Sequence, residues 1–220
     1  MVKGTTMLRT AIPVLFLAAA APLAAQAQVE LSFYGGVQSA PHSDVFISGD
    51  PAYPDKTRVK WEGRSFDPPP YYGLRATYWA SDSFGYGLDF THTKVYADAA
   101  SRGTAFDTLE FTDGLNTLTA NAYRRFGSVG GATPYVGAGL GVAIPHVEVS
   151  NGVTDTSGYQ LTGPAATVLA GASYPVSDRF SVFGEYKFTY SQNEADLDGG
   201  GTLSTDVITN AVNVGVSFSF

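Results

Sequence analysis

The 220-residue chain contains no cysteine. Disulfide bridges, thiolate zinc sites and cysteine nucleophiles are therefore excluded. Basic residues are also few, since 13 Lys and Arg stand against 20 Asp and Glu and give a formal net charge of -7. A surface this acidic does not suit nucleic-acid binding, which needs Lys and Arg to contact phosphates. After residue 27 there is no apolar run of about 18 residues, which excludes a transmembrane helix in that part of the chain.

The N-terminus has the features of a secretory signal peptide. Two basic residues are followed by the apolar stretch 11–23, and residues 25–27 (Ala-Gln-Ala) provide the small side chains that a signal peptidase reads. We expect cleavage after Ala27, so that residues 28–220 form a single domain. The alternative is an amphipathic N-terminus that the mature protein retains.

Strict alternation of apolar and polar residues at the C-terminus predicts a membrane-spanning strand. Over residues 206–220 the apolar side chains share one parity, and the small or polar side chains share the other. This segment is longer than a typical strand of about 5–6 residues and fits a barrel strand, which needs about 9–11. The terminal Phe220 lies on the lipid-facing row and resembles the sorting signal that outer-membrane assembly machinery reads.

Seven further segments alternate in the same way, and together they predict an all-β protein: an eight-stranded antiparallel transmembrane β-barrel with four longer extracellular loops. The predicted strands are residues 29–38, 71–79, 84–93, 115–126, 134–149, 159–174, 180–190 and 206–220. Short polar connections indicate the periplasmic side. The longer connections, which indicate the extracellular side, are residues 39–70, 97–114, 150–158 and 191–205.

The interior of a barrel this narrow is filled by side chains, which excludes a wide pore. By parity, four charged residues point into it: Arg75, Asp89, Glu185 and Lys187. Buried charges must be paired or they cost several kcal/mol each. One interpretation is an ion-pair network that stabilises the barrel, and the other is a buried catalytic dyad.

Four stretches in the loops and at strand ends are not required by a plain barrel. They are APHS (40–43), WEGRSF (61–66), FTHTKVYAD (90–98) and NEADLDGGGTL (193–203). These stretches resemble the lipid A oxidases, outer-membrane enzymes that convert the proximal glucosamine of lipid A to 2-aminogluconate. The resemblance continues through the strands over nearly the whole mature chain, but there it is less specific, because any small barrel alternates in this way.

The resemblance implies oxidation of lipid A with dioxygen in the outer membrane, and it assigns no catalytic residues. The implied partners are lipid A or lipopolysaccharide and the barrel-assembly machinery, for a protein that we expect to be monomeric. The alternative is a non-enzymatic barrel with a structural or adhesive role in the cell envelope. A lipid A hydrolase fits less well, since the best Ser–His pair is Ser43 directly after His42.

Candidate catalytic residues lie at the predicted extracellular ends of the strands: His42, His92, His146 and Glu110. Parity places His92 and His146 at the ends of lipid-facing rows, although Pro145 can disturb the register. The alternative is that all three histidines are simply solvated. Oxidation of a sugar hemiacetal moves two electrons, which no ordinary side chain accepts. The cofactor is unknown; a divalent or redox metal ion held by His and carboxylates is the candidate, because no nucleotide-binding glycine motif is present.

Several carboxylates lie near the histidines, including Glu148. The candidate metal ligands are Glu62, Asp113, Glu194, Asp196 and Asp198. The last three belong to an acidic, glycine-rich loop that suits a hard cation, and a solvated loop is the alternative. Arg64 and Lys94 are candidate substrate-binding residues for lipid A phosphates. Ordinary contact with lipopolysaccharide explains these two basic residues equally well.

Overall fold

The computed structural model describes residues 28–220, so the predicted signal peptide lies outside the described residues. These residues form twelve strands and one short helix. In chain order they are β1 (Gln28–Ser39), β2 (Ser43–Ser48), β3 (Lys56–Val59), β4 (Trp61–Glu62), β5 (Tyr72–Trp79), β6 (Phe84–Ala97), α1 (Ala99–Arg102), β7 (Thr108–Arg125), β8 (Thr133–Ser150), β9 (Asp155–Tyr159), β10 (Gly163–Pro175), β11 (Phe180–Asp196) and β12 (Thr202–Ser219). No helix among residues 28–220 is long and apolar enough to cross a membrane.

Eight of the strands close into an antiparallel ring. Their order is β1-β5-β6-β7-β8-β10-β11-β12, and β12 pairs with β1. A closed ring leaves no strand edge, as backbone in lipid requires. The predicted eight-stranded barrel is therefore confirmed, and each predicted strand overlaps one strand of this ring.

The outer surface carries an apolar band that ends at one level on neighbouring strands. Below this level the outward side chains are large, apolar and exposed: Leu31, Phe33, Leu74, Leu88, Leu140, Val168 and Val214. On β6 the outward row changes from Phe90 to His92, and on β8 it changes from Ile144 to His146. The extracellular boundary of the membrane therefore lies at this change from apolar to polar residues.

The interior of the membrane-spanning part holds the predicted network of charges. The Arg75 guanidinium lies 2.7 Å from Glu185 Oε1 and 2.8 Å from Asp89 Oδ2. The Lys187 ammonium donates to Asp89 Oδ1 at 2.9 Å, and Tyr34 and Tyr135 donate to the same two carboxylates. All the charged groups are paired with one another, which supports the interpretation as an ion-pair network.

Above the membrane the barrel continues with an apolar interior, which the sequence prediction missed. β7, β8 and β12 have 18 residues each, more than the roughly 9–11 that a crossing needs. Their inner side chains pack with those of β2, β3 and neighbouring segments into an upper core, which includes Val45, Ile47, Trp61, Phe111, Leu115, Val147, Leu197 and Leu203. The predicted loops 97–114 and 191–205 are therefore wrong in part, because strands occupy most of the second and the end of the first.

The polarity of the two faces of the sheet inverts between the two parts of the barrel: the outer face is apolar below and polar above. On β11 the apolar Val182 and Tyr186 face lipid, whereas further along the same strand the apolar Ala195 faces inward. Glu194 and Asp196 face outward there, into solvent. Part of the acidic stretch that suggested a cation-binding loop is thus the solvent face of a strand, which extends to Asp196.

The first predicted loop, residues 39–70, also contains strands. β2 and β3 form a hairpin that extends the sheet from β12, and β4 pairs with β6. Between the β2–β3 hairpin and β4, the strands β1 and β5 are shorter than their neighbours. The segment 63–71 forms the barrel wall at this place. Gln38 on β1 holds this segment, since its amide donates to Gly63 O at 2.7 Å and to Lys94 O at 2.6 Å.

Phe220 lies on the outer surface of the barrel, where its ring packs edge-on against Phe218 with centroids 4.7 Å apart. Its side chain is exposed toward lipid. We expect deletion of Phe220 to lower the amount of folded barrel in cells several-fold, because assembly machinery would lose the terminal aromatic group. Deletion of Asp198, in the β11–β12 turn, is the control. Heat-modifiable migration on gels measures the folded fraction, and equal assembly of both variants would contradict the sorting role.

Candidate functional site

A bulge in β7 shapes the outer surface just above the membrane band. Glu110 pairs with Glu148, and Leu115 pairs with Pro145, so that β7 has four residues where β8 has two. Bulges of this kind redirect side chains and are frequent next to active sites. Gly114 allows the bulge because its φ of 106° is one that other residues rarely adopt. As a result Asp113 lies beside outward-facing residues of β8.

Four side chains meet at this bulge, and we call Glu110, Asp113, His146 and Glu148 the rim cluster. Oxygen atoms of Asp113 and Glu148 and a ring nitrogen of His146 all lie within 4.8 Å of one another. His146 Nδ1 is 3.1 Å from Glu148 Oε1. Glu110 stands opposite Glu148 on the neighbouring strand, and burial together with the Glu148 charge raises the pKa of Glu110 to about 7.

An aromatic residue on β9 fixes the bulge from one side. The Tyr159 hydroxyl donates to the Asp113 carbonyl at 2.8 Å. Its ring lies edge-on to the His146 imidazole, with centroids 4.8 Å apart. Tyr159 therefore positions two members of the rim cluster at once. No pattern in the sequence indicates this role, because Tyr159 lies at the start of a predicted strand.

His92 supports the bulge from the other side and is not a member of the rim cluster. Its ring stacks on Tyr72 at 5.0 Å, and its Nδ1 lies 2.9 Å from Asn116 Oδ1. A Cβ at residue 114 would be only 2.4 Å from His92 Nδ1, so Gly114 packs directly against the imidazole. Burial lowers the pKa of His92, which favours the neutral ring. His92 thus holds the backbone next to Asp113.

The predicted substrate-binding Arg64 lies beside the rim cluster. Glu62, Tyr96, Glu110 and Glu148 follow one another across four adjacent strands on the outer face. The Arg64 guanidinium donates to Glu62 Oε2 at 2.9 Å and 3.1 Å and stacks 4.2 Å from the Tyr96 ring centroid. Glu62 is therefore engaged in an ion pair and is not a member of the rim cluster. Arg64 remains exposed on the side that faces solvent.

Lys94, the other predicted substrate-binding residue, is buried. Its ammonium donates to the carbonyl of Pro68 at 3.1 Å and approaches that of Asp67 at 3.5 Å. The side chain is only 2% exposed, so it stabilises the segment 63–71 and does not present its charge at the surface.

The remaining predicted residues lie elsewhere. His42 is exposed between β1 and β2, where it lines an open groove of about 530 Å³ with Asp44, Arg58 and Asp206. The hydroxyl of the neighbouring Ser43 accepts from Trp61 Nε1 at 2.8 Å. Glu194, Asp196 and Asp198 do not converge with one another on a common point. Within residues 28–220, Asp113, His146 and Glu148 are the one group of three potential metal ligands.

Comparisons with known proteins agree with this architecture. A family model described as the outer membrane protein beta-barrel domain matches residues 10–220. No curated protein matches the sequence.

Solved structures of three outer-membrane proteins are similar in fold. The outer membrane protein AlkL is 14% identical with a TM-score of 0.51, and the match covers 93% of this chain and 95% of that one. OprG from Pseudomonas aeruginosa is 12% identical with a TM-score of 0.50, covering 88% and 96%. Neisserial surface protein A is 18% identical with a TM-score of 0.49, covering 88% and 96%. At these identities the likeness concerns the fold alone.

Proposed function

We propose that this chain, which belongs to the family of the outer membrane protein beta-barrel domain, acts on lipid A in the outer leaflet as an oxidase. The observation that carries the proposal is the position of the rim cluster. It lies on the outside of the barrel, at the end of a row whose lower members, such as Leu140 and Ile144, face lipid. A lipid whose head group lies at this level reaches the cluster by lateral diffusion, without leaving the membrane.

The chemistry of the proposed reaction fits a site of this composition. The free anomeric hydroxyl of the proximal glucosamine loses its proton, and the C1–H bond breaks as two electrons leave, which gives a lactone. Dioxygen accepts the two electrons and two protons and becomes hydrogen peroxide. Water then opens the lactone to 2-aminogluconate, so that the product contains one more oxygen atom than the substrate.

Side chains around the rim cluster are suited to separate parts of this reaction. In the proposed reaction the Glu110 carboxylate accepts the proton of the anomeric hydroxyl. Arg64, stacked on Tyr96, can bind a phosphate or a sugar hydroxyl, because its planar guanidinium forms paired hydrogen bonds. The backbone φ of Arg64 is 36°, in a region that Arg rarely adopts. Such a conformation costs roughly 1–3 kcal/mol and is typical of functional positions.

The proposal is tested by adding the folded barrel in detergent to lipid A with a free proximal anomeric hydroxyl. We expect mass spectrometry to detect a gain of one oxygen atom and an oxygen electrode to record consumption of dioxygen. Lipid A that carries a phosphate at the anomeric position is the matched control and should not react. If the first substrate is also unchanged in air, the oxidase proposal fails and the non-enzymatic envelope role takes its place.

A further inference from the structure

We propose that Asp113, His146 and Glu148 bind one first-row divalent transition-metal ion on the outer surface of the barrel. The inference deepens the proposed function, on which its redox role depends. The metal binding itself depends only on the geometry of the three side chains.

The spacing of the three side chains is close to that of a metal site. Ligand atoms about 2.0–2.2 Å from one ion stand roughly 3–3.5 Å from each other. His146 Nδ1 and Glu148 Oε1 are already 3.1 Å apart, and the Asp113 carboxylate completes a group within 4.8 Å. Asp113 is exposed, which leaves its side chain room to rotate toward the ion.

The imidazole nitrogen that points into the group has no hydrogen bond. His146 Nδ1 is inaccessible to solvent, and although Glu148 Oε1 is 3.1 Å away, the geometry is not that of a hydrogen bond. A buried polar atom without a partner is unfavourable, and this one lies beside a carboxylate. A divalent metal ion satisfies the nitrogen and both carboxylates together.

The surroundings hold these ligands in place. Tyr159 contacts both Asp113 and His146, and His92 packs under Gly114 on the opposite side of the bulge. Supporting contacts of this kind orient ligands and raise metal affinity. Glu110 adds a third carboxyl group next to Glu148, and the charges of Asp113 and Glu148 make the site negative, which attracts a dication.

The ligand types indicate the class of metal. One imidazole with two carboxylates suits ions such as Mn²⁺, Fe²⁺ or Zn²⁺, whereas calcium and magnesium prefer oxygen ligands alone. Three protein ligands leave coordination positions open toward the outside of the barrel. This composition is also compatible with an ion that changes its oxidation state, as the proposed reaction requires.

Mn²⁺ binding to the folded, metal-free barrel in detergent micelles tests the inference, with the free Mn²⁺ signal followed by electron paramagnetic resonance. We expect one equivalent to bind, and Zn²⁺ to displace it, since Zn²⁺ has the higher affinity for such ligands. His146→Gln and Asp113→Asn should each weaken binding by at least about tenfold. Glu194→Gln and Asp196→Asn, which remove carboxylates from the outer face of β11, are the matched controls and should bind as the unaltered protein does.

Heat-modifiable migration confirms that each variant is folded before binding is measured. Absence of saturable Mn²⁺ binding, or equal weakening in the control variants, overturns the metal site. Oxidation of lipid A that persists after chelation and in His146→Gln overturns the redox role of the metal ion and leaves the oxidase proposal standing. Mn²⁺ binding that requires Asp113 and His146 in a protein that leaves lipid A unchanged supports the metal site and removes the proposed function.

Discussion

Replacement of His146 by Gln is expected to lower lipid A oxidation on the order of 100-fold while the barrel remains folded, because the proposed metal ion loses its nitrogen ligand. His146 lies above the apolar band and is not a member of the upper core, so Gln, which is similar in size, leaves that core unchanged. The measurement is the initial rate of oxygen consumption with lipid A that has a free anomeric hydroxyl.

His42→Gln is the matched control, because it makes the same change in an exposed histidine on another part of the rim. Its rate should equal that of the unaltered protein. His92→Ala should cause a smaller loss than His146→Gln and should also weaken Mn²⁺ binding, since His92 acts only through the backbone of the bulge. Normal turnover in His146→Gln, or an equal loss in His42→Gln, would show that the rim cluster is not the reaction site.

Replacement of Arg75 by Met is expected to lower the free energy of unfolding by about 3–5 kcal/mol, because it leaves buried carboxylates without their partner. Arg75 contacts both Asp89 and Glu185, and all three side chains are almost completely inaccessible. Urea unfolding in lipid vesicles, followed by tryptophan fluorescence and by gel migration, measures the change.

Two further variants separate charge from packing. Arg75→Met combined with Glu185→Met should recover part of the loss, since Asp89 keeps its ion pair with Lys187. Arg58→Met removes an exposed ion pair with Asp44 and should leave stability unchanged. A double variant that is less stable than Arg75→Met alone would argue against unpaired charge as the cause.

The lower half of the barrel could be predicted from the sequence because its physical constraint is simple. Lipid outside and a narrow interior inside require strict alternation, and this placed Arg75, Asp89 and Glu185 correctly in the interior. The upper half follows the opposite rule, with water outside and an apolar core inside. Segments such as 191–205 therefore looked like polar loops, although their alternation continued with reversed parity.

The rim cluster could be predicted only in part. His146 and Glu148 are two residues apart on one strand, so their common face follows from the sequence. The contribution of Asp113 depends on the bulge, whose two extra residues shift the register between β7 and β8. No local pattern in the sequence specifies that shift, so the sequence suggests Asp113 only as one of several carboxylates near the histidines.

The ion-pair network and the upper core lie one above the other inside the barrel, and both oppose the passage of ions. An ion that enters from the periplasm meets the Arg75–Glu185 pair, beside a cavity of only about 20 Å³ that has room for about one water molecule. Beyond the charged layer lies the upper core, where Phe111 and Leu203 are almost completely buried and offer an ion no polar contact. Within residues 28–220, an ion crossing the barrel would therefore meet a charged barrier and then an apolar barrier in series.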